Sequence, residues 1–307
     1  MDLKKAFQII GVVGTIICTV IFVLSPSFPT PDKLLIFLVF VFMILGQATE
    51  LIKRLLPFVA LLLVYESFRG LAPFINHRVE FSLMPDIDSK LFGVLPTAWL
   101  QDHWWHGTVQ WYDFVFYLAY MAHFVVPVAL AIVIWKRRAW FYWRFVSAFI
   151  TLSFMGFLTY FVLPAAPPWM ATDKGYIEPI TRVSSHVWFA LGIHDFPSLY
   201  NKIAPNPVAA VPSLHAAYAV LFAIIIAKLF GKKWGLLASV YPVILCLGVI
   251  YQGEHYVIDV ILGIIYAFGA YYLVQWAYPK IAPKIKPSAK RLARKANSLS
   301  RKLSSRF

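Results

Sequence analysis

The hydrophobic positions of this chain lie in long runs that are separated by short polar segments. Most of these runs reach the roughly 17 to 25 residues that a helix needs to cross a lipid bilayer. The third run is the weakest, because Pro57, Glu66 and Arg69 interrupt it. The pattern predicts about eight membrane-spanning helices, at residues 8–25, 33–50, 54–71, 112–135, 143–163, 209–230, 235–252 and 256–278.

The composition agrees with this pattern. Hydrophobic residues make up 60% of the 307 residues, and charged residues only 14%, against about 25% in a soluble domain. Aromatic residues reach 17% and include 11 Trp, which suits side chains at the two membrane–water interfaces. An ordinary soluble domain is therefore excluded, and the predicted fold class is an all-α, polytopic membrane helical bundle.

Basic residues are distributed unequally between the two ends of the predicted helices. With eight spans and the N-terminus inside, most Lys and Arg fall in cytoplasmic segments, as the positive-inside rule requires. The other side holds only Lys33, Arg69, Arg78, Lys90, Lys174, Arg182 and Lys202. We therefore expect a multi-pass membrane protein with both chain ends in the cytoplasm. It would lie in the cell membrane if the source is a bacterium.

The chain is predicted to form one integral membrane domain, residues 1–278, followed by a cytoplasmic tail at 279–307. The tail is basic and has no acidic residue, and apolar or small residues recur at helical spacing at Leu292, Ala296, Leu299 and Leu303. This pattern is typical of an amphipathic helix on an anionic membrane surface. Topogenic and lipid-facing charge explains the net charge of +14, so no nucleic-acid partner is predicted.

Two longer connections are predicted on the extracytoplasmic side. Residues 72–111 are polar and aromatic, and we expect them to lie along the interface. Residues 164–208 are rich in Pro, and loops of this length are usually functional or disordered. Because the second connection leads straight into a polar run, it is interpreted as a lid or wall of a pocket. It supplies Lys174, Arg182 and Lys202 as cations for a headgroup phosphate.

Two short polar runs at the starts of predicted spans contain the candidate chemistry. Pro212, Ser213 and His215 open one span, and His255 and Asp259 open the last one. Ionisable groups inside membrane helices cost roughly 2.5 to 3.5 kcal/mol each on insertion scales, so they indicate function. Pro212 is expected in the first helical turn, where free amide groups and the Ser213 hydroxyl would form an anion site.

His255 and Asp259 are four residues apart and are expected on one face of a helix. An aspartate that accepts the Nδ1 proton leaves Nε2 free as a nucleophile and stabilises the cation formed on attack. Each run alone has a structural explanation, a capped helix or a His–Asp pair between helices. Both begin on the same side of the membrane, however, which favours one reaction centre. Neither a metal nor a cofactor is predicted, since no further ligand cluster accompanies these residues.

Three ordered motifs, at residues 163–169 (LPAAPPW), 211–216 (VPSLHA) and 255–259 (HYVID), resemble those of the inositol phosphorylceramide synthase family. That family belongs to the type 2 phosphatidic acid phosphatase superfamily. The resemblance covers roughly 112–278 and implies a six-helix core with its catalytic motifs in 163–259. It implies that His255 is the nucleophile that forms a phosphohistidine, that Asp259 orients it, and that His215 is the acid and base.

The resemblance also implies the reaction and its partners. A phospho-headgroup, phosphoinositol in this family, would move from a glycerophospholipid to a lipid hydroxyl on the extracytoplasmic face. The cations that the phosphatase branch uses to hold phosphate are absent, because Gly156, Leu163 and Val249 occupy their positions. This departure favours a phosphodiester donor. The residues expected to bind substrate are Ser213, Pro168, Trp169, Arg182, Lys174, Tyr251 and Glu254.

Several interpretations stay open at this point. A phosphatase acting on a lipid phosphate or polyprenyl diphosphate would use water as the acceptor. A transporter would use His and Asp as a proton relay. Glu254 would be a simple helix cap or would help to select the headgroup. His123 is expected to form a hydrogen bond between helices, and residues 102–106 are expected to be an interfacial aromatic loop rather than a metal site.

Overall fold

The computed structural model of the protein describes residues 3–24, 31–192 and 206–304. Helices dominate these residues, and the extended segments among them form only isolated bridges. The helices are α1 (Leu3–Leu24), α2 (Pro31–Ile44), α3 (Ala48–Ile75), α4 (Leu83–Phe92), α5 (Pro96–Trp104), α6 (Trp111–Arg137), α7 (Tyr142–Val162), α8 (Pro168–Asp173), α9 (Val183–Ala190), α10 (Leu214–Phe230), α11 (Lys232–Ala238), α12 (Val240–Tyr251) and α13 (Val257–Ser304). A short 3₁₀ turn, Ala139–Phe141, leads from α6 into α7.

The described residues include six apolar stretches long enough to cross a membrane. These are Lys4–Leu24, Ala48–Ala72, Trp111–Arg137, Ala139–Val162, Lys232–Tyr251 and Val257–Ala282. Two shorter apolar helices, Lys33–Ile44 and Leu214–Phe230, add to them. Each coincides with one of the predicted hydrophobic runs. The predicted all-α membrane bundle is thus confirmed.

Two predicted boundaries differ from the structure. The helix expected from residue 209 begins at Leu214, because the residues before it are extended and pair with a neighbouring segment. The last helix does not end at 278 but continues to Ser304. The predicted amphipathic face of the tail lies outside the described side chains, and Lys202 lies outside the described residues.

The helix α10 is packed between two apolar clusters. Leu214 and Leu221 belong to a core shared with α3, α7 and α13. Ala216 and Ala219, on another face, belong to a cluster formed with α6, α9 and α12. Inside a membrane, close van der Waals packing of this kind holds helices together. The N-terminal end of α10 is therefore fixed between the neighbouring helices.

A close approach of α10 and α13 brings the two polar runs together. A Cβ atom on Gly263 of α13 would lie 2.3 Å from the carbonyl oxygen of Ser213, so only glycine fits there. The Ser213 amide donates a hydrogen bond of 2.9 Å to the carbonyl of Asp259. Small residues permit such backbone approach between membrane helices.

The two longer connections fold against each other. Ala165, in the Pro-rich run, forms parallel bridges with Glu80 on one side and Ala209 on the other. The side chain of Gln101 on α5 accepts a hydrogen bond from the Thr181 amide and donates one to the carbonyl of Tyr251. The described parts of the 164–208 connection are consequently tied to both polar runs.

Candidate active site

The structure brings His215, His255 and Asp259 into a single chain of contacts. Nδ1 of His215 lies 3.1 Å from Nε2 of His255, and Nδ1 of His255 lies 3.4 Å from Oδ2 of Asp259. His255 is 4% exposed and Asp259 is fully buried, whereas His215 is partly exposed. In this series of contacts the more accessible end is therefore the imidazole of His215, and the other end is the buried carboxylate of Asp259.

His255 is positioned by the segment before α13 and not by the helix itself. Its amide donates to the carbonyl of Val249 at 3.1 Å. Asp259, in the first turn of α13, accepts a hydrogen bond of 3.0 Å from the amide of Tyr256. The expectation that His255 and Asp259 share a helical face is therefore wrong. The carboxylate instead caps the helix and faces His255 with the same oxygen.

Ser213 acts as the N-cap of α10. Its hydroxyl accepts a hydrogen bond of 3.3 Å from the Ala216 amide, which otherwise has no partner within the helix. Pro212 lies before the cap, so its expected place in the first turn is wrong. The carbonyl of Pro212 accepts a hydrogen bond of 2.8 Å from the Tyr160 hydroxyl. The buried Ser213 hydroxyl thus serves the helix, which positions His215 two residues later.

Two residues of α6 hold the His215 ring. Tyr120 stacks on it with ring centroids 4.6 Å apart, and His123 contacts it edge-on at 4.3 Å. Nδ1 of His123 lies 2.9 Å from the carbonyl of Tyr120, so the expected hydrogen bond between helices is instead within one helix. Residues three apart on a helix lie on the same face, so the spacing of Tyr120 and His123 is a sequence signal that both could contact one ring.

One set of tautomers fits these contacts. If the Nδ1 proton of His255 points to Asp259, its Nε2 is an acceptor. The Nδ1 proton of His215 then points at that Nε2. The sequence predicted a free Nε2 on His255. In the structure this atom instead faces the imidazole of His215. Any ligand that bonds to Nε2 of His255 has to take the place of this contact, and it would then lie against both imidazoles.

Arg182 and Glu254 form a largely buried ion pair next to His255 in the chain. The guanidinium binds both carboxylate oxygens, at 2.9 and 3.1 Å, and lies 4.2 Å over the ring of Trp169. The Ser184 hydroxyl donates a further bond of 2.5 Å to Glu254. Of the two alternatives for Glu254, the simple helix cap does not fit, because its carboxylate binds Arg182 and Ser184 and not the first amides of α13. It joins the loop of Arg182 to the residue preceding His255.

The other predicted substrate-binding residues are distributed differently. Pro168 is buried at the start of α8, and the Trp169 amide donates to the carbonyl of Gly253 at 3.2 Å. Tyr251 is fully buried, and its hydroxyl donates to Asp113 at 2.8 Å, so its place is in the packing of α12 against α6. Lys174 is exposed at the end of α8.

Asp88 of α4 is a site residue that sequence reasoning missed. Its two carboxylate oxygens accept hydrogen bonds from the amides of Val257 and Ile258, at 2.7 and 2.9 Å. It therefore caps the helix that carries Asp259. Burial raises the pKa of Asp88 to about 6, and the nearby Asp259 charge adds to this, although the two amide bonds oppose it. No local pattern links residues so far apart along the chain.

We expect the stability advantage of the wild type over Asp88→Asn to shrink as pH rises. The folded pKa of about 6 lies above the usual 3.8, so the folded protein binds this proton more tightly than the unfolded chain. The stability that Asp88 contributes is therefore present at low pH and is lost as pH rises from its usual pKa of 3.8 to the folded pKa of about 6. Thermal unfolding of both proteins in detergent between pH 4.5 and 7.5 measures the trend. A constant difference would contradict it.

Among the described residues, no group of three or more His, Cys, Asp or Glu side chains is arranged to hold a metal ion. The groups that are brought together can attack, donate and accept protons. Nucleophilic and acid–base chemistry at an anionic centre is what His215, His255 and Asp259 offer.

Comparison with known proteins agrees with this chemistry. Residues 86–273, more than half of the chain, match the PAP2 superfamily. The chain is 31% identical over 251 residues to the phosphoinositol dihydroceramide synthase of Bacteroides thetaiotaomicron, an alignment that covers 76% of this chain and 79% of the relative. No solved structure matches the chain. The protein therefore belongs to the PAP2 superfamily, within its inositol phosphorylceramide synthase-like branch, and is a membrane enzyme of lipid phosphate chemistry.

Proposed function

We propose that the protein transfers a phosphoinositol headgroup from a glycerophospholipid to a lipid hydroxyl through a phosphohistidine at His255. The observation that carries this proposal is the chain of contacts from His215 through His255 to Asp259. One imidazole held by a carboxylate and a second imidazole opposite it are the parts that a two-step phosphoryl transfer needs.

In the first step, Nε2 of His255 attacks the phosphorus of the donor. The bond from phosphorus to the diacylglycerol oxygen breaks, and His215 gives that oxygen its proton. Asp259 stabilises the positive charge that develops on the His255 ring. The products of this step are a diacylglycerol and a phosphoinositol group bonded to His255.

In the second step, the hydroxyl of the acceptor lipid attacks the same phosphorus. His215, which lost its proton in the first step, now takes the proton of that hydroxyl. The bond between phosphorus and Nε2 of His255 breaks, and the phosphoinositol lipid leaves. Both histidines return to their starting protonation states, so the cycle consumes no other reactant.

The surroundings of His255 favour a lipid acceptor over water. The side chain is only 4% exposed, and the preceding residue, Glu254, is held by Arg182, which lies over the ring of Trp169. Exclusion of water suppresses hydrolysis of a reactive intermediate. This observation supports transfer over the phosphatase alternative.

The relative's name suggests the substrates. It describes a synthase whose product combines phosphoinositol with dihydroceramide. We infer the same headgroup here and a long-chain lipid alcohol of the dihydroceramide kind as the acceptor. The distribution of Lys and Arg supports a site on the extracytoplasmic face, where α10 and α13 would both begin.

Purified protein incubated with phosphatidylinositol labelled in its inositol ring tests this function. We expect label in a new lipid when dihydroceramide is supplied, and diacylglycerol in equal amount, both resolved by mass spectrometry. Reactions with diacylglycerol or a long-chain alcohol as the only acceptor measure acceptor selectivity. Release of free inositol phosphate without a labelled lipid product would favour the phosphatase and overturn the transferase.

A further inference from the structure

The helices α3 and α10 run in opposite directions where both pack against α7. Aromatic residues of α3 contact those of α7 in the same order along both helices, so these two are parallel. On α10 the order is reversed. Tyr218 stacks on Phe149 of α7 at 4.2 Å, whereas Leu214 lies against Gly156, two turns further along α7.

This arrangement places Arg69 at the level of the catalytic histidines. The buried hydroxyl of Tyr65 interacts with the side chains of both Arg69 and Tyr218. Arg69 is one turn beyond Tyr65 along α3, and His215 is about one turn before Tyr218 along α10. Because the two helices are antiparallel, Arg69 and His215 come to the same depth of the bundle.

The contacts of Arg69 agree with this position. Its backbone carbonyl accepts a hydrogen bond of 3.3 Å from the side chain of Asn206, in the segment that leads to α10. Its guanidinium interacts electrostatically with His123 and His215. Nε lies 3.2 Å from the carboxylate of Glu66 on the preceding turn. A positive charge from the third helix thus acts on His123 and His215.

The proposed reaction needs a positive charge at this place. The donor phosphodiester is an anion, and negative charge on its non-bridging oxygens has to be stabilised during attack. The positions that hold phosphate-binding cations in the phosphatase branch are Gly156, Leu163 and Val249 here. A guanidinium suits the task, because its planar donors match two phosphate oxygens at once.

We propose that Arg69 binds the non-bridging phosphate oxygens of the donor while His255 attacks. The proposal rests on the function proposed above and assigns it a substrate-binding residue from outside the three motifs. It also explains why α3, whose apolar run is interrupted by charged residues, contains an arginine at the depth of the histidines.

Glu66 holds Arg69 before the substrate arrives. The Glu66 side chain is 41% exposed and that of Arg69 is 21% exposed, so protein does not enclose the pair completely. The guanidinium has five N–H donors, so it can exchange this carboxylate oxygen for phosphate oxygens. Glu66 is therefore a partner of Arg69 at rest and a competitor of the substrate.

Variants of Arg69 test the assignment in the labelled headgroup-transfer assay. We expect Arg69→Gln to lower kcat/KM for the donor by about 100-fold or more, the effect of removing one transition-state donor. Arg69→Lys, which keeps the charge but loses the paired donors, should lose about 10-fold. Inhibition by orthovanadate, a mimic of five-coordinate phosphorus, should weaken in parallel. Arg78→Gln, an exposed arginine on the same side, should stay within about twofold of wild type.

The Glu66→Gln variant separates phosphate binding from a structural ion pair. We expect it to lower KM for the donor, because it removes only the carboxylate that competes with the donor phosphate for Arg69. Equal losses in Glu66→Gln and Arg69→Gln, with recovery in the double variant, would overturn the proposal. So would wild-type activity and vanadate inhibition in Arg69→Lys, a variant that keeps the ion pair and hence the fold. Activity in His255→Ala would instead remove the proposed function itself.

Discussion

Replacing His255 by alanine lowers headgroup transfer by about 10⁴-fold or more, the expected result when a covalent nucleophile is removed. Without Nε2 no bond forms between the enzyme and phosphorus, and neither His215 nor Asp259 can substitute for it. Rapid quenching of the wild type with donor labelled at phosphorus should yield labelled protein that loses its label in acid and keeps it in alkali. His255→Ala should yield none.

The matched control for this variant is His103→Ala. His103 is exposed on α5, and its ring contacts the same helix, where Nδ1 lies 2.7 Å from the carbonyl of Trp99. Its loss should leave transfer within about twofold of wild type. Labelling of His255→Ala at the wild-type level would show that a side chain other than His255 accepts the phosphoinositol group.

The parts of the structure that depend on local patterns were predictable from the sequence. Long apolar runs predicted the membrane helices, because length and hydrophobicity largely specify a membrane span. The two polar runs at 211–216 and 255–259 were expected to meet, since both begin spans from one side. The contact of Gly263 with Ser213 is the physical reason that they do.

The details of the site depend on contacts between distant residues, and these were not predictable. Asp88 caps α13 from a helix 169 residues earlier, and no periodicity connects it to Val257. The pairing of Arg182 with Glu254 likewise depends on how one loop lies against another. Local spacing even misled at His255, where a four-residue interval suggested a helical face although the residue lies before the helix begins at Val257.

The meaning of Arg69 changes between the sequence and the structure. In the sequence it only weakened the third predicted span, because a charge interrupts an apolar run. In the structure the same residue reaches the level of His215, from a helix outside the region that matches the superfamily. A polar residue that weakens a hydrophobic pattern is thus best explained by the neighbours that the fold gives it.

His215→Ala separates the two halves of the reaction. With phosphatidylinositol as donor we expect transfer to fall by about 10²- to 10⁴-fold, because no group protonates the departing diacylglycerol oxygen. A donor with an acidic leaving group, such as the p-nitrophenyl ester of phosphoinositol, does not need that proton. Release of p-nitrophenol should then show a burst equal to the enzyme concentration.

After this burst the His215→Ala variant should stall, because the acceptor hydroxyl also depends on His215 to remove its proton. Label from the donor phosphate should therefore accumulate on His255, whereas the wild type turns over continuously with the same donor and dihydroceramide. Continuous turnover by the variant would mean that another base serves the acceptor. Absence of a burst would mean that His215 is needed to position His255. The 3.1 Å contact between their rings is the structural basis for that outcome.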